Sequence, residues 1–103
     1  MNPIPIGILG ATGMVGQRML QLLEGHPWFQ VAYLAASQRS AGRRYAEAAP
    51  WRLTGECPAH LADRIVQQCD PDRVPAGVSI ILSALDGSVA GPIEEIFRAA
   101  GYL

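Results

Sequence analysis

An apolar run at residues 4–9, Ile-Pro-Ile-Gly-Ile-Leu, leads straight into Gly10-Ala11-Thr12-Gly13-Met14-Val15-Gly16, and no other stretch narrows the available folds so far. A short, nearly continuous apolar run before a glycine reads as a parallel strand buried on both faces. Pro3 and Pro5 lie at its start, where a missing amide donor is tolerated. After the glycines, Val15, Met19, Leu22 and Leu23 recur near the helical period, with Gln17, Arg18, Gln21 and Glu24 on the wetter side. Gly25 is the expected C-cap, and Pro27 forbids continuation. A second apolar run at 29–36 completes a strand, turn, helix and strand, whose crossover is expected to be right-handed.

Each glycine of the turn has its own expected task. Gly10 lets the chain leave the strand tightly, Gly13 lets a ligand's diphosphate approach the backbone, and Gly16 permits close packing of helix on strand. The first-turn amides of the helix lack acceptors within it, and the positive helix end adds to their pull on an anion. Thr12 adds a hydroxyl, as ligand donor or local cap. No Gly-Lys-Ser/Thr follows, which excludes a nucleoside-triphosphate P-loop. The plain alternative is a structural turn without a ligand.

The end of the second strand discriminates between nicotinamide coenzymes. A coenzyme lacking the 2′-phosphate meets an acidic residue there, yet residues 35–43 contain neither Asp nor Glu. Ser37, Arg39 and Ser40 offer donors instead, and a guanidinium matches phosphate oxygens, so NADP is expected over NAD. The bland alternative is a solvated loop arginine. Ser83 and Ala84, at the carboxyl end of a later strand, are the candidates for a wall beside the nicotinamide ribose, or else belong to a purely structural turn.

The remaining sequence is less decisive. Residues 46–51 are too short and proline-broken for a confident helix, although Trp51 is expected to pack as an anchor, and residues 64–69, containing Ile65 and Val66, are the expected third strand. Residues 78–85 read as another buried strand, and Ser88 as the cap of a helix over 89–100 with Ile93, Ile96 and Phe97 on one side. Gly101 ends that helix, and Tyr102-Leu103 looks like the first step of a further strand. The fold class is therefore α/β, a Rossmann-type three-layer sandwich with a mostly parallel sheet, truncated before the sheet is complete.

A formal charge of −1 argues against a nucleic-acid partner, because the only basic run, Arg39, Arg43 and Arg44, suits one small anion. No apolar stretch is long enough to span a membrane and no secretory leader is evident, so the expected setting is cytoplasmic, with a small-molecule cofactor as partner. Cys57 and Cys69 show neither metal spacing nor a disulfide framework and are expected as small buried or half-buried thiols. His26 and His60 have no metal-ligand companions, so neither a metal nor a catalytic residue is expected here.

The string Gly10-Ala-Thr-Gly-Met-Val-Gly-Gln-Arg18, with His26-Pro-Trp-Phe29, Ala35-Ala-Ser-Gln-Arg-Ser-Ala-Gly42 and Ser83-Ala-Leu85, resembles the N-terminal region of aspartate-semialdehyde dehydrogenases of the archaeal and fungal-like branch. The resemblance runs over nearly the whole chain, and Arg39 to Gly42 is its most specific part. It implies an NADP-dependent oxidoreductase that converts L-aspartyl 4-phosphate to L-aspartate 4-semialdehyde with release of phosphate, on the route to lysine, threonine and methionine. It also implies that Thr12, Gly13, Met14 and Val15 hold the diphosphate, Ser37, Arg39 and Ser40 surround the 2′-phosphate, and Ser83 and Ala84 border the nicotinamide. The family's nucleophilic cysteine and assisting histidine lie in a second domain beyond Leu103, so none of the cysteines or histidines here inherits their role.

Residues 1–103 are thus expected to be a partial N-terminal coenzyme domain without the catalytic and dimerisation domain, and to be inactive alone. The complete enzyme is expected to be a homo-oligomer, and the shortened chain to self-associate through exposed apolar surface. One departure stands out, since Asp86-Gly87 replaces the proline that usually follows Ser-Ala-Leu in the family. The alternatives are a non-catalytic nucleotide-binding or interaction module of the same descent, or the coenzyme domain of a related acyl-phosphate reductase.

Overall fold

A computed structural model describes residues 3–53 and 55–102, and the side chains of all of these except Ser88 and Val89. Strands β1 (Ile4–Leu9), β2 (Phe29–Ala36), β3 (Gln67–Gln68) and β4 (Ile80–Ser83) form one sheet in the order β3-β2-β1-β4, with every pairing parallel. Helix α1 (Met14–Leu23) links β1 to β2, the short helices α2 (Tyr45–Ala48) and α3 (Ala59–Ala62) lie between β2 and β3, and α4 (Gly87–Ala99) follows β4. The chain moves outward from β1 to β3, then crosses back to place β4 on the other side of β1. That reversal is a topological switch point, and open α/β sheets bind ligands outside the carboxyl ends of the strands there.

Apolar side chains cover both faces of the sheet, giving three layers. Ile6, Ile8, Leu34 and Ala36 pack with Leu20 of α1, Tyr45 of α2 and Leu61 of α3, whereas Leu9, Tyr33 and Ala35 pack with Phe97 of α4. Alternation along β2 is broken once. The register with β1 passes from Ile6 opposite Val31 to Gly7 opposite Tyr33, so Ala32 is an extra residue in a β-bulge. The bulge brings Leu34 back into phase with Ile8 on the face covered by α1, α2 and α3. Its freed carbonyls are satisfied by one side chain, as Arg64 donates from Nη1 to Val31 O and from Nη2 to Ala32 O, each at 2.8 Å.

β1 and β2 have the boundaries that periodicity predicts, and glycine ends both long helices. Gly25 follows the Glu24 cap of α1 with φ 70°, and Gly101 follows the Ala100 cap of α4 with φ 98°, both in the left-handed region that favours glycine.

Several expectations are corrected. The third strand is Gln67–Gln68, not residues 64–69; Ile65 sits in an isolated antiparallel bridge to Arg44 and is exposed, because the 42–45 segment zips onto 64–66 through Gly42 N to Val66 O and Tyr45 N to Arg64 O. β4 is shorter than 78–85 and half-buried, since among the described residues it pairs with β1 alone. A short helix does form at Tyr45–Ala48. α4 starts at Gly87 with Asp86 as its cap, so Ser88 lies inside the helix, and Ile96 faces solvent while Ile93 and Phe97 face the sheet. Tyr102 turns back, its amide bonding Phe97 O and its ring lying against Phe97; Leu103 is outside the described residues. Trp51 packs against the first core as expected. No helix among the described residues is long and apolar enough to cross a membrane.

Candidate functional site

The glycine turn sits at the switch point, between the carboxyl ends of β2 and β4. Gly10 N and Ala11 N both donate to Ala35 O, at 2.8 and 3.0 Å, while Ala84 N donates to Leu9 O at 2.8 Å. Gly10 has φ 75°, and a Cβ there would lie 2.8 Å from Ala84 O, so both the conformation and the approach of β4's end require glycine. Gly16 is more constrained still. A Cβ there would lie 2.2 Å from Gly10 O and 2.8 Å from Ala11 Cα, so the close contact is with the turn itself.

Gly13 differs from both. Its φ is −79°, and an added Cβ would meet nothing closer than Gly10 O at 3.8 Å. The protein's own packing gives no reason for glycine at this exposed position. Gly13 is also the N-cap of α1, with no side chain capping the helix and no acidic residue in its first turn. The amides of Met14, Val15 and Gly16 therefore begin a helix whose positive end has no counter-charge from its own sequence. The Met14 and Val15 side chains are 60% exposed, spread beside that opening.

Two residues that the sequence left unassigned hold the turn from behind. Gln17 is fully buried, although the helical period puts it on the wetter side. Its Nε2 donates to Thr12 O at 3.1 Å and Pro50 O at 3.2 Å, and its Oε1 accepts from Arg52 N at 3.0 Å. Tyr45, also fully buried, donates from its hydroxyl to Ala11 O at 2.7 Å. Burial pushes the Tyr45 hydroxyl pKa well up, which keeps it a donor. No periodic pattern signals a contact between positions 34 apart, and the glycine motif alone gave no hint of its supports.

The loop after β2 is built by Ser37 O, which accepts from Ser40 N at 3.0 Å and Ala41 N at 3.1 Å. Ser37 and Arg39 are exposed and Ser40 is buried. Among the described residues Arg39 makes no ion pair, in contrast to Arg44, which reaches Glu47 and Asp63. Beyond this loop a cavity of about 290 Å³ opens along the carboxyl edge, lined by Ala36, Ser37, Gln38, Cys69, Leu85 and Ile93 among others. Its lining combines the apolar Ala36, Leu85 and Ile93 with the polar Ser37, Gln38 and Gln68, a mixture that suits a small organic ligand.

Ser83 and Ala84 divide. Ala84 stacks its peptide on Gly10, whereas the Ser83 hydroxyl donates to Glu94 Oε2 at 2.6 Å, toward α4. Asp86 is exposed at the start of α4 and makes no side-chain cap. Cys57 and Cys69 are half-buried and free, and burial pushes both thiols up, away from a reactive thiolate. His60 of α3 pairs with Glu24 at 2.6 Å, and His26 lies against Trp28 and Phe29; Glu24 and His26 follow the last turn of α1, at the opposite end of that helix from the glycine turn.

Residues 5–103 match the family described as semialdehyde dehydrogenase, NAD binding domain. The aspartate-semialdehyde dehydrogenase of Cryptococcus neoformans is 45% identical over 104 residues, covering 97% of this chain and 28% of that protein. The enzyme of the same name from Methanothermobacter thermautotrophicus is 48% identical over 94 residues, covering 91% of this chain and 27% of its own length. Among solved structures, aspartate-semialdehyde dehydrogenase with NADP from Candida albicans superposes with a TM-score of 0.92 at 44% identity, over 98% of this chain and 28% of that one. The chain thus spans little more than a quarter of the length of these relatives.

Proposed function

The chain belongs to the semialdehyde dehydrogenase NAD-binding family, and on that premise we propose that it is the NADP-holding part of an aspartate-semialdehyde dehydrogenase. The observation that carries the reading is Gly13, an exposed, uncapped helix start where the fold has no use for a missing Cβ. A diphosphate resting on that opening accounts for it. In this assignment Gly10 and Gly16 shape the turn, and Thr12, Gly13, Met14 and Val15 meet the diphosphate. Ser37, Arg39 and Ser40 take the 2′-phosphate, the cavity between Ala36 and Ile93 takes the adenine, and Ala84 with Ser83 borders the nicotinamide side. With its hydroxyl held by Glu94, Ser83 contributes a backbone edge rather than a side-chain donor to the ligand.

NADPH, when bound, supplies the hydride; these residues bind and orient it. The whole protein would reduce L-aspartyl 4-phosphate to L-aspartate 4-semialdehyde in the cytoplasm, with its nucleophile and acid–base group in the part of the relatives that this chain does not span. Residues 1–103 are then the coenzyme part of a homo-oligomeric enzyme, and the unpaired side of β4 is where the isolated chain would self-associate. Supplied with NADP, L-aspartate 4-semialdehyde and phosphate, the 103-residue chain is expected to form no NADPH and to sediment with a mass that rises with concentration. Steady NADPH formation would show that the chemical groups lie within this chain after all, and a constant monomer mass would remove the self-association.

A further inference from the structure

Behind the glycine turn, two buried side chains hold the carbonyls of consecutive residues, Tyr45 that of Ala11 and Gln17 that of Thr12. A trans peptide unit is planar, and its C=O and N–H point in opposite directions. Tying Ala11 O to the buried side therefore turns the Thr12 N–H outward, and tying Thr12 O fixes the next peptide in the same way. The Gly13 N–H keeps a long bond to Gly10 O at 3.3 Å, whereas among the described residues the Thr12 N–H donates to no backbone acceptor. Tyr45 is fully buried, so water does not replace its hydroxyl, and without it the Ala11–Thr12 peptide loses its anchor.

Tyr45 is in turn held by the loop that leaves the Ser37–Arg39 region. Gly42 N bonds Val66 O at 2.7 Å and Tyr45 N bonds Arg64 O at 2.7 Å, which fixes where the ring enters the core. We propose that Tyr45, seconded by Gln17, is a positioning residue for the coenzyme diphosphate: it aims the Thr12 amide at the anion and acts only on ligands that carry one there. The inference rests on the coenzyme reading above and adds the device that orients its donors.

The test is an NMR titration of the wild-type chain and Tyr45→Phe with NADPH and, separately, with adenosine 2′-monophosphate, which keeps the 2′-phosphate and lacks the diphosphate. NADPH affinity is expected to fall roughly fivefold, the worth of about one hydrogen bond. Adenosine 2′-monophosphate should bind as before, and the NADPH-induced shift of the Thr12 amide should shrink. Gln17→Met, which removes the donor to Thr12 O, should give the same split between the two ligands and decides the matter if Tyr45→Phe does not fold. Equal weakening of both ligands would mean a merely structural role and overturn the proposal, as would unchanged NADPH binding with an unaltered Thr12 shift. A wild-type chain that binds neither ligand would instead overturn the coenzyme reading, and this inference with it.

Discussion

Gly16→Ala is expected to destabilise the chain by about 2 kcal/mol, even though alanine is the better helix former. Helix propensity favours the change by about 1 kcal/mol. Against it, the new Cβ would lie 2.2 Å from Gly10 O and under 3 Å from two Ala11 backbone atoms, so no flexible side chain can yield. Overpacking of this kind costs roughly 3 kcal/mol at the upper end of its usual range, and it prevails. For a domain of this size the net loss lowers the melting temperature by roughly 10 °C.

Gly13→Ala separates stability from binding. Its Cβ would meet only Gly10 O at 3.8 Å, and φ −79° suits any residue, so stability should change by less than about 1 kcal/mol, the difference between the two residues at an N-cap. NADPH affinity should nevertheless fall at least about tenfold, because the methyl group occupies the approach of the diphosphate. Thermal melts and NADPH titrations of the two variants check both halves. A Gly16→Ala chain as stable as wild type, or a Gly13→Ala chain that binds NADPH undiminished, would contradict this division of labour.

The second large effect concerns which coenzyme is chosen. Arg39→Ala should leave stability within about 0.5 kcal/mol, since the side chain is exposed and makes no ion pair among the described residues. A guanidinium on a phosphate is worth about 1.5–3 kcal/mol, so NADPH affinity should drop roughly 10- to 100-fold. NADH, which lacks that phosphate, should bind the variant and the wild type alike. The preference for NADPH then collapses through one ligand only. Parallel loss for both coenzymes would mean that Arg39 supports the loop rather than reads the phosphate.

Sequence reasoning succeeded where the cause is local. β1 and β2 follow from their apolar runs, α1 forms where a helix is expected although Val15 and Leu22 of its expected apolar side are exposed, and glycines mark the two long helix ends because φ 70° and 98° suit no other residue as well. It failed where a distant partner decides. Gln17 lies on the polar side by its period, yet the 50–52 segment closes over it and its amide becomes the link between that segment and the turn. Ile65 reads as strand interior by composition, but the antiparallel zipper with Arg44 turns it to solvent and leaves only Gln67–Gln68 to pair with β2. The bulge at Ala32 is equally silent, since its carbonyl partner, Arg64, is 32 residues away. At the site, the placing of the turn and its flanking loop at the carboxyl ends of the strands was legible, while the Ser83–Glu94 bond and the Tyr45 support depend on which way side chains point.

The central claim is that this fold holds a coenzyme carrying both a diphosphate and a 2′-phosphate. Titration of the 103-residue chain with NADPH and NADH side by side, followed by calorimetry, tests it most directly. Saturable NADPH binding at one site per chain, at least about tenfold tighter than NADH, is the predicted result. No saturable NADPH binding, or NADH binding as tightly, would contradict the account.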